Sequence, residues 1–196
     1  MKPLYLCTFC LGMVSFTGAA QDLDRGIELY RKNDFAAAAS TLRQVVDADG
    51  SNARANRYLG FALLEQGKAS EAEPFILKAC ELDPGGESKT AKARLYIEKK
   101  DYDSAVDALQ DADGEELPYV RGLLSLNRKQ YDQAVRDLES FSKSYPDFAY
   151  AHYYAGLAYN GMKRPDKMLT HFEMFVRMKP DAPEARKVRS VLRTGQ

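Results

Sequence analysis

The chain has 196 residues, of which 45% are hydrophobic and 29% are charged, and its 28 Lys and Arg residues equal its 28 Asp and Glu residues. A chain of this size and composition can bury a sizeable core, so we expect a folded protein and not a fibrous or disordered one. The cancelled charge argues against a nucleic-acid partner, because such binding depends on many Lys and Arg side chains that face phosphates.

An export signal is predicted at the amino terminus. Lys2 precedes an apolar run over Leu4–Phe16, and the small residues Gly18–Ala20 follow it. This order is typical of a signal peptide, which we assign to residues 1–20, and it predicts a periplasmic or extracellular location. The run is shorter than the roughly 20 residues of a membrane-spanning helix, and no later segment is apolar enough to span. An uncleaved membrane anchor is the alternative.

The cysteines predict neither a disulfide framework nor a metal site. Cys7 and Cys10 lie inside the apolar run, where a CxxC motif lacks the folded, polar surroundings that metal or redox chemistry needs. Cleavage after Ala20 leaves Cys80 alone, which is too few for an internal disulfide. Its helical, apolar context predicts a buried and inert thiol. A reactive thiol or an intermolecular bridge is the alternative.

The sequence repeats itself with a nearly constant period. Small residues at Gly26, Gly60, Ala93, Gly122 and Gly156 are separated by 34, 33, 29 and 34 residues. Within each interval apolar residues recur three and four positions apart in two bursts, with a short polar turn between them. This pattern predicts five units, each an antiparallel pair of helices. We expect the small residue of the first helix to face an alanine of the second, so that the two helices approach closely.

This pattern resembles the tetratricopeptide repeat family, whose units of about 34 residues carry a small residue in the first helix, an alanine early in the second and a closing proline. Gly60, Ala72 and Pro84 occupy these positions in the second unit. The resemblance implies an all-α fold: a right-handed α-solenoid of about five helix pairs with a C-terminal capping helix. We place the solenoid at residues 21–182, after the signal peptide, and the capping helix and tail at 183–196. The predicted units span about 19–52, 53–85, 86–114, 115–148 and 149–182.

Two segments depart from a regular repeat. In the third unit we predict a second helix over 103–112 and the next helix from near Glu116, so that about one turn is missing. Simple variation in length explains this, and a shaped binding site or a hinge is the alternative. After Pro180 we predict a final helix that Asp181 caps. Its packed face carries Ala185, Val188 and Leu192.

The resemblance also implies a binding surface, because the first helices of such units line the concave face of the superhelix. We expect a partner peptide or protein segment to bind there, through the contact area and hydrogen bonds that Tyr, Arg and Asn provide. The aliphatic positions could instead pack between helices. Leu23 and Ile27 stand where chaperone-binding members carry Lys and Asn, which disfavours that role. The predicted groove residues are Tyr30, Arg54, Arg57, Phe61, Arg94, Tyr119, Leu123, Asn127, Tyr150, Tyr153 and Asn160.

Catalytic equipment is sparse. His152 and His171 are the only imidazoles, and no Gly-rich loop, nucleophile elbow or His/Cys cluster accompanies them. We expect both to be structural or surface residues, and we predict no metal, no cofactor and no enzymatic activity. The leading hypothesis is a protein-interaction scaffold in envelope assembly or secretion, and an enzyme with an unrecognised site is an alternative.

Charge is unevenly distributed along the chain. Residues 101–116 hold seven Asp and Glu and no Lys or Arg, whereas residues 163–196 hold nine Lys and Arg against four Asp and Glu. Solvated helix faces account for such runs. The alternatives are head-to-tail contact between copies in a self-assembling module, or peripheral attraction of the basic end to an anionic membrane. The sequence leaves the oligomeric state and the identity of the partner open.

Overall fold

The computed structural model describes residues 14–194, and every regular element in that range is a helix. Ten helices form five consecutive pairs with a three-residue turn inside each pair, and an eleventh helix follows, which confirms the expected all-α solenoid. None of the described helices combines the length and apolar character needed to cross a membrane. The pairs are α1 (Val14–Arg31) and α2 (Phe35–Ala48), α3 (Ala53–Glu65) and α4 (Ala69–Leu82), α5 (Gly86–Glu98) and α6 (Tyr102–Leu109), α7 (Leu117–Asn127) and α8 (Tyr131–Ser144), and α9 (Ala149–Gly161) and α10 (Pro165–Met178), followed by α11 (Ala185–Thr194).

The amino-terminal prediction falls mainly outside this range. Only residues 14–20 of the predicted signal peptide are described, as the start of α1. Cys7 and Cys10 lie outside the described residues.

The same turn ends the first helix of all five pairs. Its middle residue adopts a left-handed conformation, with φ between 57° and 71°. The N–H of the next residue donates to the carbonyl five positions earlier, at 2.8–3.0 Å in each case, which satisfies a carbonyl that the helix end would otherwise leave free. The spacing of these turns therefore reproduces the period of the sequence. The left-handed residues are Asn33, Gly67, Lys100, Lys129 and Lys163.

Glycine in the first helix makes room for a large side chain of the second helix. A Cβ built on the four glycines at this position would lie 2.4–2.6 Å from an apolar side chain sixteen positions later, so a larger residue would force that side chain to move. Besides the alanine that we expected, whose carbonyl oxygen lies 3.4 Å from a Cβ built on Gly122 in the case of Ala134, the space of the missing side chain is taken by a leucine, isoleucine or phenylalanine. The pairs are Gly26 with Leu42, Gly60 with Ile76, Gly122 with Leu138, and Gly156 with Phe172.

The third pair is shorter than predicted. Helix α6 has 8 residues, whereas the second helices of the other pairs have 14. It ends at Leu109 and not at Ala112, because the following residues leave the helix and turn back towards α5. There the Thr90 hydroxyl donates to the carbonyl of Asp113 at 2.6 Å, and Gly114 takes a φ of +101°. At 3.6 residues per turn, more than one turn is missing.

The last helix begins later than predicted. Asp181 does not cap it, because α11 starts at Ala185 and the residues before it form turns. That segment is held against α9 by Glu184, whose carboxylate accepts a hydrogen bond from the Tyr150 hydroxyl at 2.9 Å. The packed face of α11 is as predicted, since Ala185 and Val188 are buried against the preceding pair.

The first and last pairs meet across the inner face of the superhelix. The Asn33 side chain donates to the carbonyl of Asp147 at 2.9 Å and accepts from the N–H of Tyr150 at 3.3 Å. Next to it the ring of Phe148 packs on Tyr30, with centroids 5.5 Å apart. These contacts join units more than 110 positions apart in the chain. The superhelix is therefore wound tightly enough to bring its two ends together.

Candidate functional site

The inner face is largely filled by the protein's own side chains. All eleven predicted groove residues lie on the first helices of the pairs, but most of them are not accessible. Within residues 14–194 the inner face is therefore not an open groove along its whole length, because contacts between the first and last pairs occupy part of that space. Arg54, Asn127 and Asn160 are exposed, and Tyr153 is half-buried. The buried ones are Tyr30, Arg57, Phe61, Arg94, Tyr119, Leu123 and Tyr150, each 1–8% exposed.

The filled part of the inner face is an aromatic cluster. Tyr30 lies at its centre, with ring centroids 5.6 Å from Tyr58, 6.0 Å from Phe61 and 5.5 Å from Phe148. Phe148 also packs edge-on against Tyr119 at 5.0 Å. Ring pairs at these distances add favourable energy to the burial of their area. These aromatic side chains therefore hold the superhelix closed.

A buried ion-pair network lies beside the aromatic cluster. Arg94 is 2% exposed and pairs with Glu65, at 3.2 Å, and with Glu98 on its own helix. Burial alone would lower the pKa of Arg94, but the two carboxylates raise it, so the guanidinium stays charged. Burial raises the pKa of Glu65, although Arg94 and the Tyr119 hydroxyl oppose this. One guanidinium thus faces two carboxylates.

A second charged group lies at Arg57, next to Tyr58 of the aromatic cluster. Arg57 is buried and pairs with Glu87 and, at 4.0 Å, with Asp83. Next to it the Tyr58 hydroxyl donates to the buried Glu116 carboxylate at 2.5 Å, and burial raises the pKa of Glu116. Arg57, predicted to contact a partner, therefore joins neighbouring units.

The inner face stays open at one end. A cavity of about 860 Å³ lies where the turns after α1 and α3 and the end of α5 face the start of α9 and the segment between α10 and α11. We call this opening the mouth cavity. It is lined by residues 33–36, 64–68 and 178–184 together with Arg94, Glu98, Tyr150 and Tyr154. Its volume lies in the range of sites that bind small molecules or side chains of a partner.

The mouth cavity brings together only part of the predicted site. Arg94 and Tyr150 line it, whereas Tyr153 and Asn160 line a separate apolar cavity of about 210 Å³ beneath α11. Asn127 lines neither of these two cavities, and its side-chain amide donates to the carbonyl of Leu123 at 2.8 Å. The eleven residues are therefore not one continuous surface.

Sequence reasoning missed several lining residues. Phe35 and Tyr154 face the cavity, and their rings lie 5.4 Å and 6.3 Å from that of Tyr150. The residues after Asp181 were predicted to be helical, but residues 182–184 form turns, and the whole segment 178–184 forms the outer wall of the cavity. The two prolines at 180 and 183 were the available signal that this segment is not helical.

The two histidines form a buried pair between α9 and α10. The Nδ1 atoms of His152 and His171 are 3.1 Å apart, and His171 Nε2 lies 3.4 Å from a carboxylate oxygen of Glu139. Desolvation lowers the pKa of both, and for His152 the neighbouring ring adds to this and brings the pKa to about 4. Both rings are therefore neutral at pH 7. Within residues 14–194 no three His, Cys, Asp or Glu side chains are grouped to hold a metal ion.

Cys80 is half-buried, less than predicted. Its Sγ lies 3.3 Å from the carbonyl oxygen of Ser88. Burial raises the pKa of the thiol, which keeps it protonated and weakly nucleophilic at neutral pH. This environment suits the inert role that the sequence suggested.

The solved structures that are similar to this chain share at most about a quarter of its residues. YrrB, described as a TPR protein with an unusual peptide-binding site, is 20% identical, with a TM-score of 0.51 over 88% of this chain and 92% of that one. A tetratricopeptide repeat protein from Parabacteroides merdae is 18% identical, with a TM-score of 0.49 over 91% and 73%. MamA is 24% identical, with a TM-score of 0.47 over 86% and 94%. No curated protein matches the sequence.

Family models settle the classification. A tetratricopeptide repeat model matches residues 23–87 and 119–183, and a second model of the same repeat matches 86–114. Together these ranges cover all five helix pairs, including the short third one. The chain therefore belongs to the tetratricopeptide repeat family.

Proposed function

We propose that the protein is a non-enzymatic scaffold that binds a segment of a partner protein at the mouth cavity. The observation that carries this proposal is that the mouth cavity is the part of the inner face that the chain's own aromatic side chains leave open. Two of the predicted groove residues, Arg94 and Tyr150, line it. The proposal therefore keeps the predicted kind of ligand and moves its site from the whole concave face to one end.

Peptide binding has a precedent on this fold. YrrB is described as a TPR protein with an unusual peptide-binding site, and we carry peptide binding over to this chain as part of the proposal. The cavity combines aromatic and charged side chains, a mixture that supplies both contact area and directional hydrogen bonds to a bound segment.

The proposal places the protein outside the cytoplasm, in envelope assembly or secretion. It rests on the apolar run over Leu4–Phe16 and the small residues that follow. Comparison of the mass of the exported protein with that of the full chain tests this location: cleavage after Ala20 supports it, and retention of residues 1–20 in the cytosol contradicts it.

Partner binding is tested by filling the cavity. Ala36 is exposed, lies in the first turn of α2 and lines the cavity, so Ala36→Trp places an indole in its opening. Ser40, one turn later on α2, is also exposed but does not line the cavity, which makes Ser40→Trp the matched control. Both variants should melt like the wild-type protein.

A photo-crosslinking residue at position 36 or 40 then reports the contact. We expect a crosslinked partner from position 36 and not from position 40, and loss of partner capture in Ala36→Trp alone. Equal capture by Ala36→Trp and the wild-type protein would exclude the mouth cavity as the binding site.

Self-assembly is a second candidate function, favoured by two exposed charged faces. Acidic side chains lie exposed on and after α6, at Asp103, Asp107 and Asp111, and basic ones lie exposed on α11, at Arg186 and Arg189. Opposite charges of this kind attract over a screening length that shrinks with salt. Light scattering at low and high salt tests the idea, and a strictly monomeric mass at low salt rejects it.

A further inference from the structure

The mouth cavity has an excess of negative charge. Its lining residues carry five carboxylates and three cationic side chains. Two of the cations, Lys68 and Lys179, belong to the turn after α3 and to the segment before α11, whereas the third, Arg94, is buried at the base. A ligand that enters the cavity therefore meets a net negative lining, which disfavours an acidic segment. The carboxylates belong to Asp34, Glu65, Glu98, Asp181 and Glu184.

Part of this excess negative charge lies at the buried base of the cavity. Arg94 carries one positive charge and is in contact with two carboxylates, those of Glu65 and Glu98. The side chain of Glu65 is only 3% exposed, and its burial raises its pKa, although Arg94 and the Tyr119 hydroxyl oppose this. Glu98 is a third exposed, so its carboxylate can face a ligand as well as Arg94. A cation brought by a ligand would balance the cluster.

The walls suit such a cation. Tyr150, Tyr154 and Phe35 present aromatic rings to the cavity. The Tyr150 hydroxyl donates to Glu184, which fixes that carboxylate without neutralising it, because burial and Glu184 itself raise the pKa of Tyr150 and keep its proton in place. Aromatic faces beside carboxylates attract ammonium and guanidinium groups.

We propose that the mouth cavity binds a Lys or Arg side chain of the partner segment, held between the carboxylates of Glu98 and Glu184 and the rings of Tyr150 and Tyr154. This inference rests on the proposed function and specifies its ligand as a basic segment. An acidic or neutral segment is the alternative that the test distinguishes.

The test uses the full chain and two probes of nearly the same shape. N-acetylarginine amide is charged, and N-acetylcitrulline amide is neutral. Each is titrated into the ¹⁵N-labelled protein while backbone NMR signals are followed. We expect the arginine amide to shift signals of residues 64–68 and 150–154 and to bind about tenfold more tightly than the citrulline amide, because two partly buried carboxylates face the charge.

Charge variants identify the carboxylates. The double variant Glu98→Gln with Glu184→Gln keeps the shape of the lining and should reduce the preference for arginine to less than about twofold. Glu173 is exposed on α10 and does not line the cavity, so Glu173→Gln is the control and should keep the full preference. Thermal melting of each variant verifies that the fold is retained.

The outcomes separate the two proposals. Equal binding of the two probes, arginine-induced shifts outside the cavity, or tighter binding of N-acetylglutamate amide would each overturn the basic-segment inference. If the charge variants still capture the partner and Ala36→Trp does not, the mouth cavity is retained as the binding site. Recognition of a basic side chain is then rejected. If Ala36→Trp captures the partner as the wild-type protein does, the site itself is wrong.

Discussion

The filled inner face and the mouth cavity are built by the same first helices, yet one is closed and the other is open. In the filled part, Tyr30 and Tyr119 meet the ring of Phe148, which comes from the loop before α9. At the mouth, Arg94 and Tyr150 face a turn-rich segment that leaves about 860 Å³ empty. Repeat register thus predicts which residues point inward, whereas contacts between distant units decide which of them a partner can reach.

The largest loss of stability is expected from a substitution that removes a ring of the aromatic cluster. Phe148→Ala removes a fully buried ring that packs on Tyr30, Tyr119 and Phe141, so the free energy of unfolding should fall by about 3–5 kcal/mol. Urea denaturation measures this. Phe75→Ala, at a half-buried ring outside the cluster, is the comparison and should cost clearly less. A loss below about 1 kcal/mol at Phe148 would mean that the cluster does not hold the superhelix closed.

Removal of the buried guanidinium of Arg94 should cause the next largest loss of stability. Arg94→Met leaves Glu65 buried and unpaired, which should cost about 3 kcal/mol of unfolding free energy. The double variant Arg94→Met with Glu65→Leu removes both charges and should recover most of that loss. If the double variant is no more stable than the single one, the ion pair is not what makes Arg94 important to the fold.

Acid should weaken the last pair, which contributes to both regions. The folded-state pKa of His152 and of His171 lies below the ordinary value near 6.5, so the unfolded chain binds more protons as the pH falls. This contribution to stability is complete above about pH 6.5 and is lost as the pH falls towards the folded pKa of about 4 for His152, an effect on the order of 2 kcal/mol. Thermal melting between pH 7 and pH 4 measures it.

The other groups around the histidines have opposing influences. Glu139 favours protonation of both rings, whereas Arg177 disfavours it at His152 and Lys167 at His171. A variant with both histidines replaced by Gln should lose the corresponding part of the pH dependence. An unchanged pH profile in that variant would assign the acid sensitivity to other groups.

A smaller effect is expected where the first and last pairs touch. Asn33→Gly keeps the left-handed turn free of strain but removes the hydrogen bonds to Asp147 and Tyr150, so it should cost about 1 kcal/mol. The loss should appear in equilibrium denaturation. If Asn33→Gly is as stable as the wild-type protein, these hydrogen bonds do not hold the ends together.

The smallest expected change in stability is a gain, at Lys129. The variant Lys129→Gly is the matched control for Asn33→Gly. Lys129 occupies the same left-handed position in the fourth pair, is exposed and takes no part in the hydrogen bonds of Asn33. Lys129→Gly should stabilise the protein by about 0.5 kcal/mol, because glycine adopts positive φ without a steric penalty. A lower unfolding midpoint would show that the flexibility of glycine in the unfolded chain outweighs the relief of strain.

Local patterns predicted the helix pairs well, because each pair is specified by its own turn and by glycines such as Gly60 and Gly122 that admit one large neighbour. The start of α11 and the end of α6 were missed because both depend on contacts with other helices: Tyr150 holds Glu184, and Thr90 binds the carbonyl of Asp113.

The candidate site was predicted less well than the fold. The resemblance to the tetratricopeptide repeat family placed Arg94 and Tyr150 on the inner face, but their burial depends on how tightly successive units wind. Winding is a sum of small rotations that no single residue encodes.

The hydrogen bonds of Asn33 have a consequence for the way this solenoid unfolds. In an open repeat protein, stability is nearly a one-dimensional sum of units and their immediate neighbours, and end units can fray or be deleted independently. Here the turn after α1 is tied to Asp147, in the loop between the fourth and fifth pairs, and to Tyr150 of the fifth pair. Loss of either end therefore exposes the aromatic cluster of the middle, and the five pairs should unfold as one cooperative unit in which no repeat is dispensable.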